Sequence, residues 1–479
     1  MIDPPDLNFS LHDTLHATHG MHAFAAKCAP PLAAWAIHEY SDLGECIVDP
    51  MAGSGTTLVE GRLAGRHVRG VDLDPVASLL SRVKATPLEA PILEPASAEL
   101  LAVVKDECAQ WDRLHQQGAP IADINRALHI TLLSFHNRDY WFLPEVSAKL
   151  AIIKRAIGNA HVTPCIGDFF YVAFSSLIVA RTSVANARDL VHSRHHHMAH
   201  PQTPDVATLF EQRLGRMQRQ MATFVDGLPE GYMHHTTRVY QADARQLPLA
   251  DASADLVFTS PPYCNALDYP RAHQLVIAWL GDVLGIDSTT YRTLARTYIG
   301  TDRARKSLPF DPATIPIDSP TAQSVISDVA AADRVRAAVV QRYFQDMTVA
   351  LHEIGRILKP GRHAILVVCP SNIRRVSIPS HEVFMEIGER LGLAGGYRLH
   401  PVAHHERVID DRKRLLPYMD DTALAQRMRT EYVIVLRKQR VSGSPRRTSR
   451  LPATGRPIPQ APPATEHHTG DKEGMADGR

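Results

Sequence analysis

The chain has 479 residues, of which 44% are hydrophobic and 22% are charged, and its formal net charge is +1. This is ordinary globular composition, and the near-zero charge excludes a global basic field, so nucleic-acid binding would depend on local patches. The six cysteines are far apart and form no Cys-x-x-Cys pair. This spacing argues against a zinc site or a disulfide framework, predicts no metal, and favours a reducing cytoplasm.

No segment of the sequence indicates export or a membrane. The first residues include Asp3, Asp6 and Asp13 and show no basic region followed by an apolar region, as a signal peptide would. The longest apolar run covers residues 169–180, which is shorter than the roughly 20 residues that span a bilayer. We therefore expect a cytoplasmic protein without membrane contact.

In chain order, residues 30–84 predict a β-α-β unit. A helix pattern (PPLAAWAIHEY) precedes a buried strand (ECIVDP), and a short helix pattern (TTLVEGRLAG) leads to a second strand (HVRGVDLDP). A unit of this kind favours a parallel sheet. Residues 85–235 then show almost no strand pattern and predict a helical insertion.

Strand patterns return in TRVYQADA and ADLVFTSPPY, and residues 264–337 are again irregular or helical. A helix, a turn and a buried strand follow in YFQDMTVALHEIGRILKPGRHAILVVCPS, and TEYVIVLRK predicts a last strand. We therefore expect a catalytic domain in three parts, 1–84, 236–263 and 338–438, interrupted by insertions at 85–235 and 264–337. The Pro-, Ser- and Arg-rich tail, 439–479, is expected to be disordered.

The stretch DPMAGSGTT directly follows the first predicted strand. Gly53 and Gly55 permit a tight turn and let a ligand contact the backbone, and the next helix offers unpaired N–H groups at its start. Asp49 can hold a cation, and Asp72, which ends the next strand about 20 residues later, can accept hydrogen bonds from a ribose. Leu58 replaces the third glycine of the dinucleotide fingerprint, which disfavours a pyrophosphate. The loop suits a ligand that contains adenosine; a purely structural turn is the alternative.

The stretch TSPPY ends the fourth predicted strand. Strands one and four are neighbours across the switch point of doubly wound sheets, so this loop is expected to face the glycine loop. Pro261 and Pro262 stiffen it, Ser260 offers a hydroxyl, and Tyr263 offers an aromatic face. Together they can hold a planar base whose exocyclic amine donates to Ser260 while its ring stacks on Tyr263.

Six segments, taken in order, resemble the motifs of site-specific DNA methyltransferases that modify exocyclic amines, at cytosine N4 or adenine N6. HGMHAFAAKCAPPLAAWAI resembles motif X, DPMAGSGTT motif I, GVDLDP motif II and YQADARQLP motif III. TSPPY resembles motif IV in its N4-cytosine form, and RILKPGRHAILVV resembles the region of strand five. The resemblance implies a Rossmann-like, S-adenosylmethionine-dependent methyltransferase sheet with helical insertions. It also implies double-stranded DNA as substrate, a flipped target base and in-line methyl transfer.

The same resemblance implies the site residues. The catalytic residues would be those of motif IV: Ser260, Pro261, Pro262 and Tyr263. Asp243 would meet the adenine amine of S-adenosylmethionine. The full set of implied cofactor-binding residues is Lys27, Asp49, Pro50, Met51, Gly53, Ser54, Gly55, Thr56, Asp72, Leu73, Asp243 and Ala244. A restriction enzyme or a phage-defence component is a further candidate partner.

Three other functions stay open at this point. An adenine N6-methyltransferase differs only in motif IV. RNA methyltransferases with this motif I usually carry Asp-Pro-Pro-Tyr and an added RNA-binding domain, neither of which is visible. A non-catalytic DNA-binding protein on a methylase frame is disfavoured by the intact Asp49, Gly53, Gly55 and Asp72.

The two insertions are the candidates for DNA recognition, because a catalytic core of general chemistry needs added elements to choose a sequence. We expect residues 85–235 to read bases and residues 264–337 to clamp the DNA backbone. Candidate base-reading side chains are Asn137, Arg138, Arg181, Asn186 and Arg188; candidate phosphate contacts are Arg271, His273, Arg292, Arg296, Arg303, Arg305 and Lys306.

Overall fold

The computed structural model describes residues 7–9, 12–184, 203–264, 267–303, 317–391, 396–408 and 430–441. Four of the candidate DNA contacts, Asn186, Arg188, Arg305 and Lys306, lie outside these residues, as does the tail after residue 441. The strands are β1 (Cys46–Asp49), β2 (His67–Asp72), β3 (Thr237–Gln241), β4 (Ala254–Thr259), β5 (Leu358–Val368), β6 (Ser371–Ile373), β7 (Val376–Ile378), β8 (Tyr397–Val408) and β9 (Thr430–Arg440).

A seven-stranded sheet forms the centre of the molecule, with the order β3-β2-β1-β4-β5-β9-β8. Strands β1 to β5 are mutually parallel, and β9 runs antiparallel to both β5 and β8. The first five strands follow the order of doubly wound α/β folds, in which the order of strands reverses between β1 and β4. The predicted fold class, an α/β Rossmann-like sheet with added helices, is confirmed.

Helices cover both faces of this sheet. They are α1 (Pro30–Tyr40), α2 (Thr56–Leu63), α3 (Pro75–Ala85), α4 (Ala90–Gln116), α5 (Ile121–Ala127), α6 (Arg138–Trp141), α7 (Pro144–Asn159), α8 (Pro164–Leu177), α9 (Val206–Asp226), α10 (Tyr269–Leu280), α11 (Ser288–Leu294), α12 (Pro320–Ala332), α13 (Arg334–Ile357) and α14 (Ser380–Arg390). Side chains alternate across each strand, so Ile47 enters the core beneath α1–α11 and Val48 enters the core beneath α12–α14.

The described part of residues 85–235 is helical up to the approach to β3, as the pattern predicted. Residues 264–337 are divided between the two faces. Trp279 of α10 packs edge-on against Phe135, Phe142 and Phe174 of the helical segment, whereas α12 packs on α13 across the sheet. The described residues of the two predicted insertions thus share one apolar core at α10.

Several strands differ from the sequence prediction. Strands β6, β7 and β8 were not expected. The predicted turn at Lys359–Gly361 lies inside β5, because a register shift against β4 accommodates Gly361 at φ +80°. Strand β9 continues to Arg440, two residues beyond the predicted boundary.

One helical segment of the described chain, Pro164–Thr182, is long and apolar enough to cross a membrane when judged by length and composition alone. It is longer than the apolar run seen in the sequence because a π-helical turn, Ile178–Thr182, extends α8. However, 67% of its apolar window is buried inside the protein, which is typical of a core helix in a soluble fold.

Candidate active site at the carboxyl ends of the strands

A cavity opens at the carboxyl ends of β1, β2 and β3. It contains about 660 Å³ of space, including its open mouth. Its walls combine the glycine loop, the end of β2, the start of the loop after β3, the TSPPY loop and the segment around α10. The lining residues are Phe24, Pro50, Met51, Gly53, Asp72, Leu73, Asp74, Ala77, Asp243, Ala244, Pro262, Tyr269, His273, Tyr298 and Ile299.

The glycine loop owes its shape to two left-handed backbone conformations. Gly53 has φ +50° and Gly55, which precedes α2, has φ +81°. A Cβ atom at Gly55 would lie 2.7 Å from the Cα atom of Ser81 in α3. Only glycine therefore satisfies both the backbone angle and the close approach of α3. Ser54 and Thr56 are buried beside these glycines, and the Oγ1 atom of Thr56 has no hydrogen-bond partner among the described residues.

Asp49 lies buried at the end of β1, beneath the loop. Its carboxylate accepts hydrogen bonds from the hydroxyl of Thr57, at 2.5 Å, and from the backbone N–H of Met51, at 3.1 Å. Burial raises the pKa of Asp49 to about 6. This carboxylate holds the turn in shape, and it is the charge closest to the start of the loop.

Asp72 ends β2 and lines the cavity. One carboxylate oxygen accepts from the N–H of Gly53 at 2.7 Å, and the other accepts from the N–H of Asp74 at 2.8 Å. Burial and, next, repulsion by Asp74 raise the pKa of Asp72 to about 7. Each oxygen keeps acceptor capacity for a further donor, so Asp72 joins the glycine loop to the end of β2 and can still accept from a ligand.

Asp74 connects this edge of the sheet to the chain that follows the TSPPY loop. One of its oxygens caps α3 by accepting from Val76 and Ala77. The other accepts from His273 Nδ1 at 2.8 Å and from the hydroxyls of Tyr291 and Tyr298 at 2.9 and 2.8 Å. Burial opposes the charge of Asp74, but the His273 pairing and these hydrogen bonds outweigh it and leave the pKa lowered.

This arrangement corrects one sequence-based expectation. His273 was a candidate phosphate contact, but its side chain is 9% exposed and is hydrogen-bonded to Asp74. It supports the cavity wall and does not face a DNA backbone. Arg303, another candidate, pairs with Asp268 through two hydrogen bonds of 2.9 and 2.7 Å.

Asp243 and Ala244 also line the cavity, as the resemblance to motif III suggested. The carboxylate of Asp243 is held by the guanidinium of Arg245, whose Nη2 atom donates at 2.5 Å. Arg245 in turn donates to Asp346 at 2.8 Å and to the carbonyl of Thr297 at 2.8 Å. Asp243 is therefore fixed in position, and its contact with an adenine amine stays a prediction.

The TSPPY loop leaves β4 beside the glycine loop, because β1 and β4 are paired at Ile47 and Val48. Pro262 lines the cavity. The hydroxyl of Ser260 donates to the carbonyl of Val367 in β5 at 3.2 Å, and the hydroxyl of Tyr263 donates to Glu431 of β9 at 3.3 Å. The loop thus joins the cavity to the surface above β5 and β9.

Lys27 has a different surrounding from the other predicted cofactor ligands. Its ammonium donates to the carbonyls of Thr14 and His19, at 3.1 and 3.3 Å, within the N-terminal segment. From the same segment it is Phe24 that reaches the cavity, where its ring lies 5.9 Å from that of Tyr269 and 5.5 Å from that of His273.

The N-terminal segment also forms a histidine cluster that sequence spacing did not reveal. His16 and His19 each place Nε2 at 2.8 and 2.7 Å from the same oxygen of Glu60. Burial lowers the pKa of His19 to about 4. Because the two imidazoles already satisfy the buried carboxylate, these hydrogen bonds account for the cluster, which ties the segment to α2.

Sequence reasoning missed several cavity residues. Asp74 and Phe24 were inside segments singled out as motifs II and X, so their position was visible but their role was not. Tyr269, Tyr298 and Ile299 lay in the segment predicted only as irregular or helical, and no motif singled them out. They reach the cavity only because α10 and α11 fold back onto Asp74.

Comparison with known proteins finds sequence similarity to methyltransferases. No protein-family profile matches it. It is 25% identical over 420 residues to the type II methyltransferase M.MvaI of Kocuria varians, covering 85% of this chain and 87% of that protein. It is 24% identical over 384 residues to M.BsoBI of Geobacillus stearothermophilus, covering 73% of each chain. These two relatives are thus type II methyltransferases matched over most of their length.

Two solved structures also show similarity. A SAM-dependent methyltransferase from Methanosarcina mazei is 10% identical, with a TM-score of 0.25, over 85% of this chain and 98% of that chain. A protein from Thermus thermophilus, described provisionally as a DNA modification methylase, is 18% identical, with a TM-score of 0.16, over 30% of this chain and 53% of that chain. The fold assignment therefore rests on the strand order described above.

Proposed function

We propose that this protein is an S-adenosylmethionine-dependent, site-specific DNA methyltransferase that acts on the exocyclic amine of a flipped base, cytosine N4. One observation carries the proposal. Gly53 of the glycine loop, Asp72 at the end of β2 and Pro262 of the TSPPY loop line the same cavity. A site for a nucleoside-bearing cofactor therefore lies directly beside a rigid loop whose hydroxyl and aromatic ring suit a base.

The residues of the cavity fit S-adenosylmethionine. Asp72 would accept from the ribose hydroxyls, and Asp243 would accept from the adenine amine. The backbone of the glycine loop, with the unpartnered hydroxyl of Thr56 and the carboxylate of Asp49 next to it, would hold the methionine end. S-adenosylmethionine supplies an electrophilic methyl group on its sulfonium.

The TSPPY loop supplies the other half of the chemistry. The hydroxyl of Ser260 donates a hydrogen bond to the carbonyl of Val367. The lone pairs of its Oγ atom can therefore accept a hydrogen bond from the target amine. This contact would orient the target nitrogen, and the ring of Tyr263 would stack on the base. With the cofactor bound, the nitrogen would take the methyl group as the carbon–sulfur bond breaks and the sulfur leaves as a thioether, and the excess proton of the amine would pass to solvent.

The relatives support DNA as the substrate, since type II methyltransferases such as M.MvaI are matched over most of their length. The serine in TSPPY supports cytosine N4. A restriction enzyme of the same sequence specificity is the expected partner, and the cytoplasm is the expected location.

Modification-sensitive single-molecule sequencing of DNA from cells that express the protein tests the proposal. We expect one methylated sequence, with N4-methylcytosine found when the digested DNA is analysed by mass spectrometry, and a lower fraction of methylated sites in cells that express Tyr263→Ala. N6-methyladenine instead would assign the enzyme to adenine. Methyl transfer to RNA alone, or cofactor binding with no methyl transfer, would overturn the proposal.

A further inference from the structure

Two charged residues of the last strands lie at the same edge of the sheet as the TSPPY loop. Arg407 of β8 and Glu431 of β9 are direct partners in the antiparallel ladder. The neighbouring Tyr432 pairs with Val368, the last residue of β5. Because β5 runs parallel to β4, Arg407 and Glu431 stand at the carboxyl end of the sheet, where Ser260 follows β4.

Side-chain contacts join this pair to the proposed catalytic loop. Glu431 accepts from the hydroxyl of Tyr263 at 3.3 Å, and its other oxygen lies 3.2 Å from Arg407 Nε. Cys28 of the N-terminal segment is close to both charges: burial and then the Glu431 carboxylate raise its pKa, and Arg407 opposes them. The pair is thus linked to Tyr263 and lies near Cys28.

Arg407 has an unused donor in this position. Its side chain is only 7% exposed, and its Nε atom lies 3.2 Å from Glu431, yet neither Nε nor Nη1 makes a hydrogen bond with the described residues. A buried donor without an acceptor is unfavourable, so the site favours a ligand that brings one. Glu431 is paired with the guanidinium at Nε, so the Nη1 atom at the other end of the guanidinium remains for such a ligand.

We propose that Arg407 donates to the acceptor edge of the flipped cytosine, its N3 and O2, while Glu431 positions both Arg407 and Tyr263. This inference rests on the proposed function. With the amine of the base at Ser260, the next atoms around the cytosine ring are two acceptors, N3 and O2. Adenine presents one acceptor, N1, followed by a C–H group. A guanidinium at this edge therefore selects cytosine.

The test measures binding of the duplex that contains the methylated sequence, with sinefungin as an unreactive cofactor analogue. The target is cytosine in one duplex and 3-deazacytosine, which lacks the N3 acceptor, in the other. We expect the unmodified protein to bind the 3-deazacytosine duplex about tenfold more weakly, as for a lost hydrogen bond to a charged donor. Arg407→Met should bind both duplexes equally, and Arg407→Lys should show an intermediate preference.

Arg398→Met is the matched control, because this arginine lies on the same strand but pairs with Glu389 and Gln439; it should keep the full tenfold preference. If Arg407→Met does not fold, the double variant Arg407→Met/Glu431→Gln, which removes both buried charges, takes its place. A preference retained without Arg407, or a target base that proves to be adenine, overturns this inference and leaves DNA methylation standing. Absence of any methylated DNA from the unmodified protein is the separate failure of the proposed function.

Discussion

At the scale of single residues, Asp72 has the environment that most directly links structure to measurement. Its pKa is raised to about 7 by burial and by Asp74, and ribose hydroxyls donate to the ionised form. Affinity for S-adenosylmethionine should therefore rise as the pH increases through about 7 and level off above it. Between about pH 6 and pH 8 the expected gain is about tenfold, the change in the ionised fraction. Calorimetric titration at several pH values measures it.

Asp72→Asn provides the control for this dependence. The amide cannot ionise, so the variant should bind the cofactor weakly and with little change over the same pH range. Asp49, whose pKa is raised to about 6 by burial, would leave a smaller dependence at lower pH. An unmodified protein with constant affinity across pH 7 would remove Asp72 from the cofactor site.

Two substitutions of Tyr263 separate the effect of its ring from the effect of its hydroxyl. Tyr263→Ala should reduce methyl transfer by about tenfold to a hundredfold, because stacking on a base contributes about 1–3 kcal/mol, with cofactor affinity unchanged. Tyr263→Phe should retain most of the activity, since it keeps the ring and loses hydrogen bonds of the hydroxyl, such as that to Glu431. Kinetics with methyl-labelled cofactor and the sequenced DNA site distinguish them. Equal damage in both variants would show that the hydroxyl is the important group.

At the scale of elements, the glycine loop and the helices around it act as one unit. Gly55→Ala must place a Cβ atom against the backbone of Ser81 at a positive φ, so α3 has to shift. Gly118→Ala has a similar positive φ, but no atom lies within 4 Å of the added Cβ. Gly118→Ala should cost about 1–2 kcal/mol of stability from backbone strain alone, and Gly55→Ala should cost more and also weaken cofactor binding.

Thermal unfolding with and without S-adenosylmethionine measures both effects. The cofactor should raise the unfolding temperature of Gly118→Ala as it does that of the unmodified protein, and should raise that of Gly55→Ala much less. If the two variants behave alike, the close contact with α3 does not determine the loop.

At the scale of the whole molecule, the two predicted DNA-binding segments share a core at Trp279, yet we expect their exposed side chains to have different roles in binding DNA. Changing Asn137 and Arg138 at the start of α6 should alter which sequences are methylated. Changing Arg292 and Arg296, which are exposed on and after α11, should weaken binding to all DNA and reduce its salt dependence by about one unit of slope per lost phosphate contact. Genome sequencing and titrations at several salt concentrations measure these outcomes, and reversed behaviour would exchange the two roles.

The pattern of neighbouring residues in the sequence was enough to predict the first four strands of the sheet, the glycine loop and the TSPPY loop. The strand, the glycines and the helix that follows are adjacent in sequence, so the turn at Gly53 and Gly55 depends on interactions of short range. The pairing of β1 with β4 followed from the general strand order of doubly wound sheets, and the structure has it. The α/β class was predictable for the same reason.

Contacts between segments distant in sequence could be identified only from the folded structure. Asp74 meets His273, Tyr291 and Tyr298 because α10 and α11 return to the end of β2, and no periodic pattern in the sequence encodes that return. Glu431 reaches Tyr263 because β9 inserts antiparallel between β5 and β8. Side chains that serve a ligand are selected for where they meet in space, so the cavity wall around α10 and the Arg407–Glu431 pair emerged from tertiary packing alone.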